Sequence, residues 1–378
     1  MERIVLAYSG GLQTSAAIAW LAERFSAEVV TVTIDLGQGR DLADIRERAL
    51  AAGAVRAHIL DAREEFAREF ILPSLEAGAL YEGQYPLATA LGRPLIARKL
   101  VEVARIEGAP VVAHGCAPDE NDRIRLEVGI RALDPDVEVI APSELWGLRP
   151  EDLVAYAMAR GLTVPASVSA ACTIDANLWG RSIQGPPLED LWHEPPEDLY
   201  ALTRASQHGP DEPAYIEIEF DAGVPLRANG IEMGLIELIE SVETIAGAHG
   251  VGRIDMVENR VAGTKSREIY EAPAAVLLHA AHRELEKLVI PRELERLKRH
   301  MAAAYADLVY NGLWFSPTRD AIDAFVASIQ PRVTGAVRLK LLKGGYSIVG
   351  RRSPFALHDT SAAPGDSTAL DQIARGAR

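Results

Sequence analysis

A loop of small residues near the start of the chain has the chemistry of an anion-binding site. Arg3–Tyr8 predicts a strand, and Ser9-Gly10-Gly11-Leu12-Gln13-Thr14-Ser15 leads from it into a helix. Two adjacent glycines allow a tight turn whose backbone N–H groups approach a ligand. The positive end of the helix favours an anion at the same place, and Ser9, Thr14 and Ser15 add hydroxyl donors. An anion is the expected ligand, although the loop lacks the Gly-Lys-Ser/Thr ending of the common phosphate loop. The alternative is a simple strand–helix turn.

Two polar segments in the second half of the chain also carry enough functional side chains to form a site. The first runs from Thr173 to Ser182, and the second runs from Gly252 to Glu271. Both hold carboxylates, cations and hydroxyl groups with few apolar residues between them. This composition is typical of solvated loops, so both segments are predicted to be irregular. Lining a site for a polar substrate is the other role that they suit.

The first 160 residues, which include the small-residue loop, alternate between strand and helix patterns. The predicted strands are mostly continuous apolar runs, typical of a parallel sheet covered on both faces: Ile4–Ala7, Val29–Ile34, Val55–Leu60, Val111–Ala113 and Val137–Ile140. The predicted helices are Ser15–Arg24, Leu42–Ala52, Pro94–Ile106, with Pro94 in its first turn, and Asp122–Leu133. Ligands of such sheets bind beyond the carboxyl ends of the strands. The Ser9 loop, Asp35–Gly39 and His114–Asp122 all reach that edge.

After a predicted helix at Glu151–Arg160, the pattern changes to that of an α+β domain. A proline-rich irregular stretch is expected over residues 163–213, followed by a strand at Tyr215–Phe220. Helices are predicted at Met233–Ala246, Pro273–Leu288 and Pro291–Asn311, and then a hairpin of Val337–Leu342 and Tyr346–Arg351 turned by Gly344-Gly345. The fold class is therefore α/β, with domains at residues 1–164 and 165–359 and a tail at 360–378 that holds a short helix at Thr368–Ala377. A second substrate is expected at the domain junction.

Composition narrows the class of protein. The 378 residues carry a net charge of −15, which disfavours a polyanionic partner such as tRNA. Cys116 and Cys172 offer no disulfide framework and no zinc cluster, which fits a reducing cytoplasm. The chain starts without an apolar signal segment and has no apolar run of the ~20 residues that span a bilayer. We expect small-molecule substrates, no nucleic acid and no membrane.

The loop and the two polar segments together resemble a known family. A strand ending in Ser-Gly-Gly is similar to the pyrophosphate loop of ATP pyrophosphatases. With the segments at 173–182 and 252–271, the chain resembles argininosuccinate synthases from Ile4 to about Asp359. The resemblance implies an N-terminal Rossmann-like nucleotide-binding domain and a C-terminal synthetase and multimerisation domain. It also implies an AMP-forming ligase that joins citrulline to aspartate with ATP and Mg²⁺ in a cytoplasmic homotetramer.

The resemblance also implies site residues. ATP would be held by the loop, two residues of the second strand and one glycine, namely Ala7, Tyr8, Ser9, Gly10, Gly11, Leu12, Gln13, Thr14, Ser15, Thr33, Ile34 and Gly115. Citrulline would contact Tyr85, Asn121, Arg125, Thr173, Ser182, Glu258 and Tyr270. Aspartate would contact Asn121 and Asp122. No protein ligand for Mg²⁺ is implied. Taken alone, Arg125 and Asp122 also suit a surface ion pair at (i, i+3), and the tyrosines suit packing at a domain junction.

Several positions depart from the family pattern. Gln13 replaces an Asp, Ala90 replaces a Ser, and Thr173 replaces a Ser with its hydroxyl kept. The family reads Ala-Thr-Gly-Lys-Gly before its Asn-Asp, whereas this chain has Gly115-Cys116-Ala117-Pro118-Asp119-Glu120 in that region. Two acidic residues near a site for aspartate and triphosphate predict repulsion of a few kcal/mol at ~4–6 Å. The tail after Asp359 is also shorter than the family's subunit-associating end.

These departures leave three alternatives to the ordinary synthase. The first is a paralogue that uses a different amine or ureido substrate. The second is a catalytically silent member that binds nucleotide. The third is a tRNA-thiolating enzyme, because such enzymes share the loop. The acidic net charge disfavours this alternative, and so do the two cysteines, whose surroundings are more typical of small buried residues than of nucleophiles. We assign no catalytic role to His114.

Overall fold

The parallel sheet predicted for the first part of the chain is confirmed. The computed structural model describes residues 2–39, 41–118, 120–147, 150–162 and 172–358. Five strands pair in parallel in the order β3-β2-β1-β4-β5, with bounds β1 (Arg3–Ala7), β2 (Glu28–Asp35), β3 (Arg56–Asp61), β4 (Val111–Ala113) and β5 (Glu138–Ile140). The carboxyl ends of β1, β2 and β4 therefore meet at one edge.

Helices cover both faces of this sheet. They are α1 (Leu12–Phe25), α2 (Leu42–Ala51), α3 (Arg63–Phe66), α4 (Leu72–Ala77), α5 (Ala88–Glu107), α6 (Asn121–Leu133), α7 (Pro142–Leu145) and α8 (Pro150–Ala159), and a π-helical turn at Ala67–Ile71 joins α3 to α4. Ile4 and Leu6 of β1 pack into one core with α1 and α2, while Val5 packs into a larger core with α5. Both faces of β1 are therefore apolar, which explains its continuous apolar sequence.

The prediction that Pro94 lies in the first turn of its helix is wrong. Helix α5 begins at Ala88, and Pro94 lies inside it. Contacts from outside the helix hold its first turn, because the Thr89 amide donates to the Tyr85 hydroxyl at 2.9 Å and the Asn177 side chain donates to the Ala88 carbonyl at 2.7 Å. Tertiary contacts here outweigh the backbone preference on which the prediction was based.

The second part of the chain forms two antiparallel sheets. Its strands are β6 (Thr173–Asn177), β7 (Gly180–Gln184), β8 (Ala214–Asp221), β9 (Val224–Ala228), β10 (Ile231–Glu232), β11 (Arg253–Asn259), β12 (Lys265–Glu271), β13 (Gly335–Leu342) and β14 (Gly345–Arg352). One sheet has the order β10-β9-β8-β13-β14 and confirms the predicted strand and hairpin. The other has the order β11-β12-β7-β6.

The second of these sheets corrects the prediction that residues 173–182 and 252–271 are irregular. Several of their charged side chains are buried or paired rather than solvated. Glu271 is fully buried and accepts hydrogen bonds from the amides of Leu202 and Thr203 at 2.9 Å each, besides its ion pair with Arg181. A strand that buries charged groups has the same amino-acid composition as a surface loop, so composition alone predicted the wrong structure here.

Four further helices complete the fold: α9 (Leu235–Ala248), α10 (Pro273–Val289), α11 (Arg292–Tyr310) and α12 (Pro317–Ala327). The first three were predicted, with ends that differ by up to two residues, and α12 was not. The large core continues from α5 through α10 and α11 to β13, so the two parts of the chain share it. None of the described helices is long and apolar enough to cross a lipid bilayer. The predicted tail helix and the boundary at residues 164 and 165 lie outside the described residues.

Candidate active site

The loop after β1 leaves the amino-terminal end of α1 without a side-chain cap. Gly11 occupies the cap position, and the first turn of α1 holds no acidic residue. Helix α2 differs, because the Asp41 carboxylate accepts hydrogen bonds from the amides of Ala43 and Asp44 at 3.0 and 3.1 Å. Uncapped amides at the positive end of a helix suit an anion.

Neighbouring groups hold this loop in shape. Gly10 has a φ of +75°, which favours glycine, and its carbonyl accepts a hydrogen bond from Arg48 at 2.7 Å. The Thr14 hydroxyl donates to the Gly11 carbonyl at 3.2 Å. The hydroxyl groups of Tyr8 and Ser15 lie 2.9 Å apart. The loop is therefore built before any ligand arrives.

The other residues predicted to bind ATP lie beside the loop. The Thr33 hydroxyl on β2 donates to the Tyr8 carbonyl at 2.9 Å, and Ile34 follows it on the same strand. Gly115 packs so closely that a Cβ there would lie 2.6 Å from Cγ2 of Thr14. Gln13 is half-buried in the first turn of α1. The structure thus brings the whole predicted set together at the carboxyl edge of β1 and β2.

A polar cleft lies between α5, α6 and the sheet of β6, β7, β11 and β12. It contains about 370 Å³ of space, part of it open to solvent. Six of the seven residues predicted to bind citrulline line it: Tyr85, Asn121, Arg125, Ser182, Glu258 and Tyr270. The seventh, Thr173, is exposed at the start of β6, where it is paired in register with the lining residue Gln184. Thr173 therefore lies at the rim.

Aromatic stacking and strand register order this cleft. Ser182 of β7 pairs with Tyr270 of β12, and the ring of Tyr270 stacks on that of Tyr85 with centroids 3.9 Å apart. The hydroxyl groups of Thr89 and Ser182 lie 3.1 Å apart. Helix α6 contributes Asn121 and Arg125 from its first two turns. One wall therefore comes from the parallel-sheet part of the chain and the other from the antiparallel sheet.

An ion-pair network anchors the α6 side of the cleft. Asp122 pairs with Arg93 at 2.8 Å and with Arg125 at 2.9 Å, and Arg93 also pairs with Asp175 at 2.5 Å. Burial would raise the pKa of Asp122, but the two guanidinium groups outweigh it and lower the pKa to about 2. Asp122 and Arg125 do form the (i, i+3) pair, but the pair belongs to the cleft and not to the surface. Arg125 is only 4% exposed.

The opposite wall holds two buried carboxylates. Glu258 is 2% exposed and accepts hydrogen bonds from the hydroxyl groups of Tyr270, at 2.6 Å, and Tyr310. Burial raises the pKa of Glu258, and the two hydroxyl groups offset only part of that shift. Burial, helped by the charge of Glu258, raises the pKa of Glu268 to about 7. This wall is negative and suits a cationic group such as an ammonium.

Comparison with known proteins assigns the chain to a family. The arginosuccinate synthase N-terminal HUP domain matches residues 3–163, and the arginosuccinate synthase C-terminal domain matches residues 172–376. The chain belongs to the argininosuccinate synthase family. A protein named argininosuccinate synthase from Dictyoglomus turgidum is 51% identical over 365 residues, which cover 97% of this chain and 91% of that protein. A protein of the same name from Dehalococcoides mccartyi is 50% identical over 97% of this chain and 90% of its own length. Another from Synechococcus elongatus is 50% identical over 96% of this chain and 91% of its own length.

The segment that begins at His114 and ends at Glu120 runs from the loop to the cleft. It starts beside Thr14 through Gly115 and ends at Glu120, which lines the cleft next to α6. The Glu120 carboxylate accepts a hydrogen bond from the amide of Ala117 at 2.9 Å. Asp119 lies outside the described residues. Part of the negative charge predicted at this point is thus engaged by the backbone of its own turn.

The two cysteines are half-buried thiols. Burial raises the pKa of Cys116, and the carboxylate of Asp122 raises it further. Burial also raises the pKa of Cys172. Both thiols therefore stay protonated at neutral pH, whereas a nucleophilic cysteine needs a lowered pKa.

Sequence reasoning missed several residues of the cleft and its surroundings. Arg260 and Glu268 line the cleft, Arg93 anchors Asp122, and Tyr310 donates to Glu258. Arg260 and Glu268 lie in a segment that had been noticed, but its many charges gave no reason to choose them. Tyr310 had one signal, since it lies near the end of the predicted helix Pro291–Asn311, next to an Asn-Gly pair.

Proposed function

We propose that this protein is an AMP-forming carbon–nitrogen ligase that joins citrulline to aspartate and converts ATP to AMP and pyrophosphate. The observation that carries the proposal is a loop suited to phosphate that is joined by residues 114–120 to a cleft with a carboxylate-binding wall and an ammonium-binding wall. The family match covers both parts of the chain. A paralogue with another substrate and a catalytically silent protein are therefore not favoured.

The loop after β1 is the proposed site for the phosphates of ATP. Its uncapped helical amides support this assignment, because they can donate hydrogen bonds to phosphate oxygens. Thr33 and Ile34 are proposed to line the adenine. Among the described residues no group of three or more His, Cys, Asp or Glu side chains could hold a metal ion. Mg²⁺ is therefore proposed to enter with ATP, held mainly by phosphate oxygens.

The cleft is the proposed citrulline site. The Arg125 guanidinium suits the α-carboxylate, and Glu258 suits the α-ammonium group. Hydroxyl groups of Tyr85, Thr173, Ser182 and Tyr270 are proposed to complete the polar surroundings, with Asn121 shared by both amino-acid substrates. Fixing both ends of the amino acid directs its ureido group toward the loop. Orientation of this kind supplies much of the rate enhancement in two-substrate reactions.

The chemistry follows from the weak electrophilicity of a ureido carbon. The ureido oxygen attacks the α-phosphorus of ATP, and the bond from that phosphorus to the bridging oxygen breaks, so pyrophosphate leaves. The amino group of aspartate then attacks the activated carbon and loses its proton. The carbon–oxygen bond breaks, and AMP leaves with the former ureido oxygen. The loop would stabilise the charge that builds on the departing pyrophosphate.

The amine substrate needs a cation for its carboxylates, and Arg260 is our candidate. Arg260 lines the cleft beside Glu120 and Asn121, and its Nε is buried without a hydrogen-bond partner among the described residues. A guanidinium in that state gains from a carboxylate. Asn121 and Asp122 are proposed to meet the rest of aspartate. This arrangement offsets the negative charge of the Ala117–Glu120 turn.

Three broader proposals rest on the family resemblance. The chain divides into a nucleotide-binding domain over residues 1–164 and a synthetase and multimerisation domain over residues 165–359. The protein is cytoplasmic, which its two cysteines, free in the structure, also favour. It forms a homotetramer. Light scattering coupled to size-exclusion chromatography tests the tetramer directly.

An isotope experiment tests the proposed reaction. Citrulline labelled with ¹⁸O in the ureido group is incubated with the protein, MgATP and aspartate, and the products are analysed by mass spectrometry. We expect unlabelled argininosuccinate together with one ¹⁸O atom in the phosphate of AMP. ATP cleavage that does not depend on citrulline, or AMP without the label, would overturn the proposal. Product formation with other amines in place of aspartate would instead indicate a paralogue that uses a different amine substrate.

A further inference from the structure

Tyr310 contacts residues of both walls of the cleft. It is the last residue of α11, is 1% exposed, and comes from neither wall. Its hydroxyl donates to Glu258 and accepts a hydrogen bond from the Asn121 side chain at 3.0 Å. Its carbonyl accepts from the Arg125 guanidinium at 2.7 Å, and that guanidinium also lies 4.5 Å from the centre of its ring. One residue thus touches three residues of the proposed substrate site.

We infer that Tyr310 is a positioning residue that holds Glu258, Asn121 and Arg125 in the geometry needed to bind citrulline. The inference rests on the proposed function and goes beyond it, because Tyr310 acts through other residues and is not proposed to touch substrate. Each contact has a directional role. The hydroxyl orients the carboxylate and the amide, and the carbonyl at the negative end of α11 orients the guanidinium.

The fold leaves Tyr310 little freedom. Its ring stacks on that of Tyr81, with centroids 3.5 Å apart and planes at 6°, and the Tyr81 hydroxyl is tied to the Asn259 carbonyl at 2.7 Å. Gly312 follows with a φ of +76°, and a Cβ there would lie 2.8 Å from Cα of Arg125. The end of α11 is therefore pressed against α6. Side chains locked in this way can hold a site to within about 0.5 Å.

The protonation of Glu258 should report the loss of the Tyr310 hydroxyl. Burial raises the pKa of Glu258, and the hydrogen bonds from Tyr270 and Tyr310 lower it. Removing one of them raises the pKa further, so Glu258 becomes protonated at a higher pH. The other charged or titratable groups that influence this carboxylate or are influenced by it are Arg125, Glu82, Glu268, Tyr81 and Tyr85.

The test compares Tyr310→Phe with Tyr305→Phe, which removes a hydroxyl from another buried tyrosine of α11 outside the cleft. For Tyr310→Phe we expect kcat/KM for citrulline to fall roughly 10- to 100-fold, as is typical for a lost hydrogen bond to a charged group. The acid limb of its pH profile should move to higher pH. The KM for ATP should stay within about twofold of wild type because the loop is untouched. Tyr305→Phe should change none of these.

A double-mutant cycle separates positioning from general destabilisation. If Tyr310 acts through Glu258, Tyr310→Phe has much less effect in a Glu258→Gln background than in wild type. Additive effects, an unmoved pH profile, or equal losses for citrulline and ATP would overturn the inference while leaving the proposed function intact. A wild-type protein without citrulline-dependent ATP cleavage would instead refute the proposed function, and this inference with it. If Tyr310→Phe does not fold, Tyr81→Leu removes the ring that stacks on Tyr310 from outside the cleft and should lower kcat/KM for citrulline, whereas an unchanged value would overturn the inference.

Discussion

The loop after β1 and the cleft beside it differ in how they are built. The loop takes its binding groups from the backbone of consecutive residues, from Ser9 to Ser15. The cleft takes side chains from α6, β7, β11 and β12, and the end of α11 holds several of them. A backbone site depends on space and tolerates changes of side chain. A side-chain site depends on charge and on the exact arrangement of distant elements.

The same contrast appears in the electrostatics. The loop offers partial positive charge from uncapped amides. The cleft offers full charges of both signs on opposite walls, with Arg125 paired to Asp122 and Glu258 held by two tyrosine hydroxyl groups. The two regions should therefore respond to different kinds of substitution.

The largest effect is expected from Glu258→Gln in the cleft. The change leaves the ammonium of citrulline without a buried partner, so kcat/KM for citrulline should fall roughly 100-fold or more. The KM for ATP should change little, because the loop keeps its amides. Steady-state kinetics with each substrate varied in turn measures both values. The matched control is Glu64→Gln on the exposed surface of α3, which should change neither value. Equal losses of kcat/KM for ATP and for citrulline in Glu258→Gln would contradict the division between the two regions.

Gly115→Ala should have the opposite selectivity. The added Cβ meets Cγ2 of Thr14 at 2.6 Å and must displace that side chain, which is hydrogen-bonded to the Gly11 carbonyl, so kcat/KM for ATP should fall roughly 10-fold or more. Binding of citrulline, measured by calorimetry without nucleotide, should be less affected. Gly234→Ala is the control, since nothing lies within 4 Å of a Cβ there and its φ is −62°. Normal ATP kinetics in Gly115→Ala would show that the loop does not hold the phosphates.

A moderate effect of pH is expected from Glu268. Its pKa of about 7 means that it is mostly neutral at pH 6 and mostly charged at pH 8. The added negative charge attracts the citrulline ammonium, so the KM for citrulline should fall about three- to fivefold as pH rises through 7. Glu268→Gln should remove this step and keep the KM near its acidic value. If the KM for citrulline of that variant still falls as pH rises through 7, the group that titrates is not Glu268.

The smallest effect is expected from Gln13→Asp, which restores the acidic residue of the family pattern. Because the amides of the first turn do not depend on that side chain, kcat/KM for ATP should change by no more than about threefold. Initial rates over a range of MgATP concentrations measure the change. A gain of tenfold or more would mean that Gln13 impairs the wild-type loop and would revive the catalytically silent alternative.

The same contrast explains what could be predicted from the sequence. The parallel sheet and the loop depend on local patterns, such as the continuous apolar strand β1 and the adjacent glycines. The sheet that carries Glu258 and Tyr270 was missed because its buried charges have the composition of a solvated segment. Tyr310 was missed because its role depends on contact with α6, 185 residues away from Arg125 along the chain. Structure that depends on neighbouring residues can be predicted from one sequence, whereas the pairing of polar groups that lie far apart along the chain cannot.

We propose that the loop and the cleft act together on ATP and citrulline before the amine is used. Exchange of labelled pyrophosphate into ATP, measured with citrulline present and aspartate absent, tests it most directly. We expect exchange that requires citrulline, is strongly reduced in Glu258→Gln, and persists in Gln13→Asp. Exchange that proceeds equally well without citrulline, or no exchange when citrulline is present, would contradict the claim.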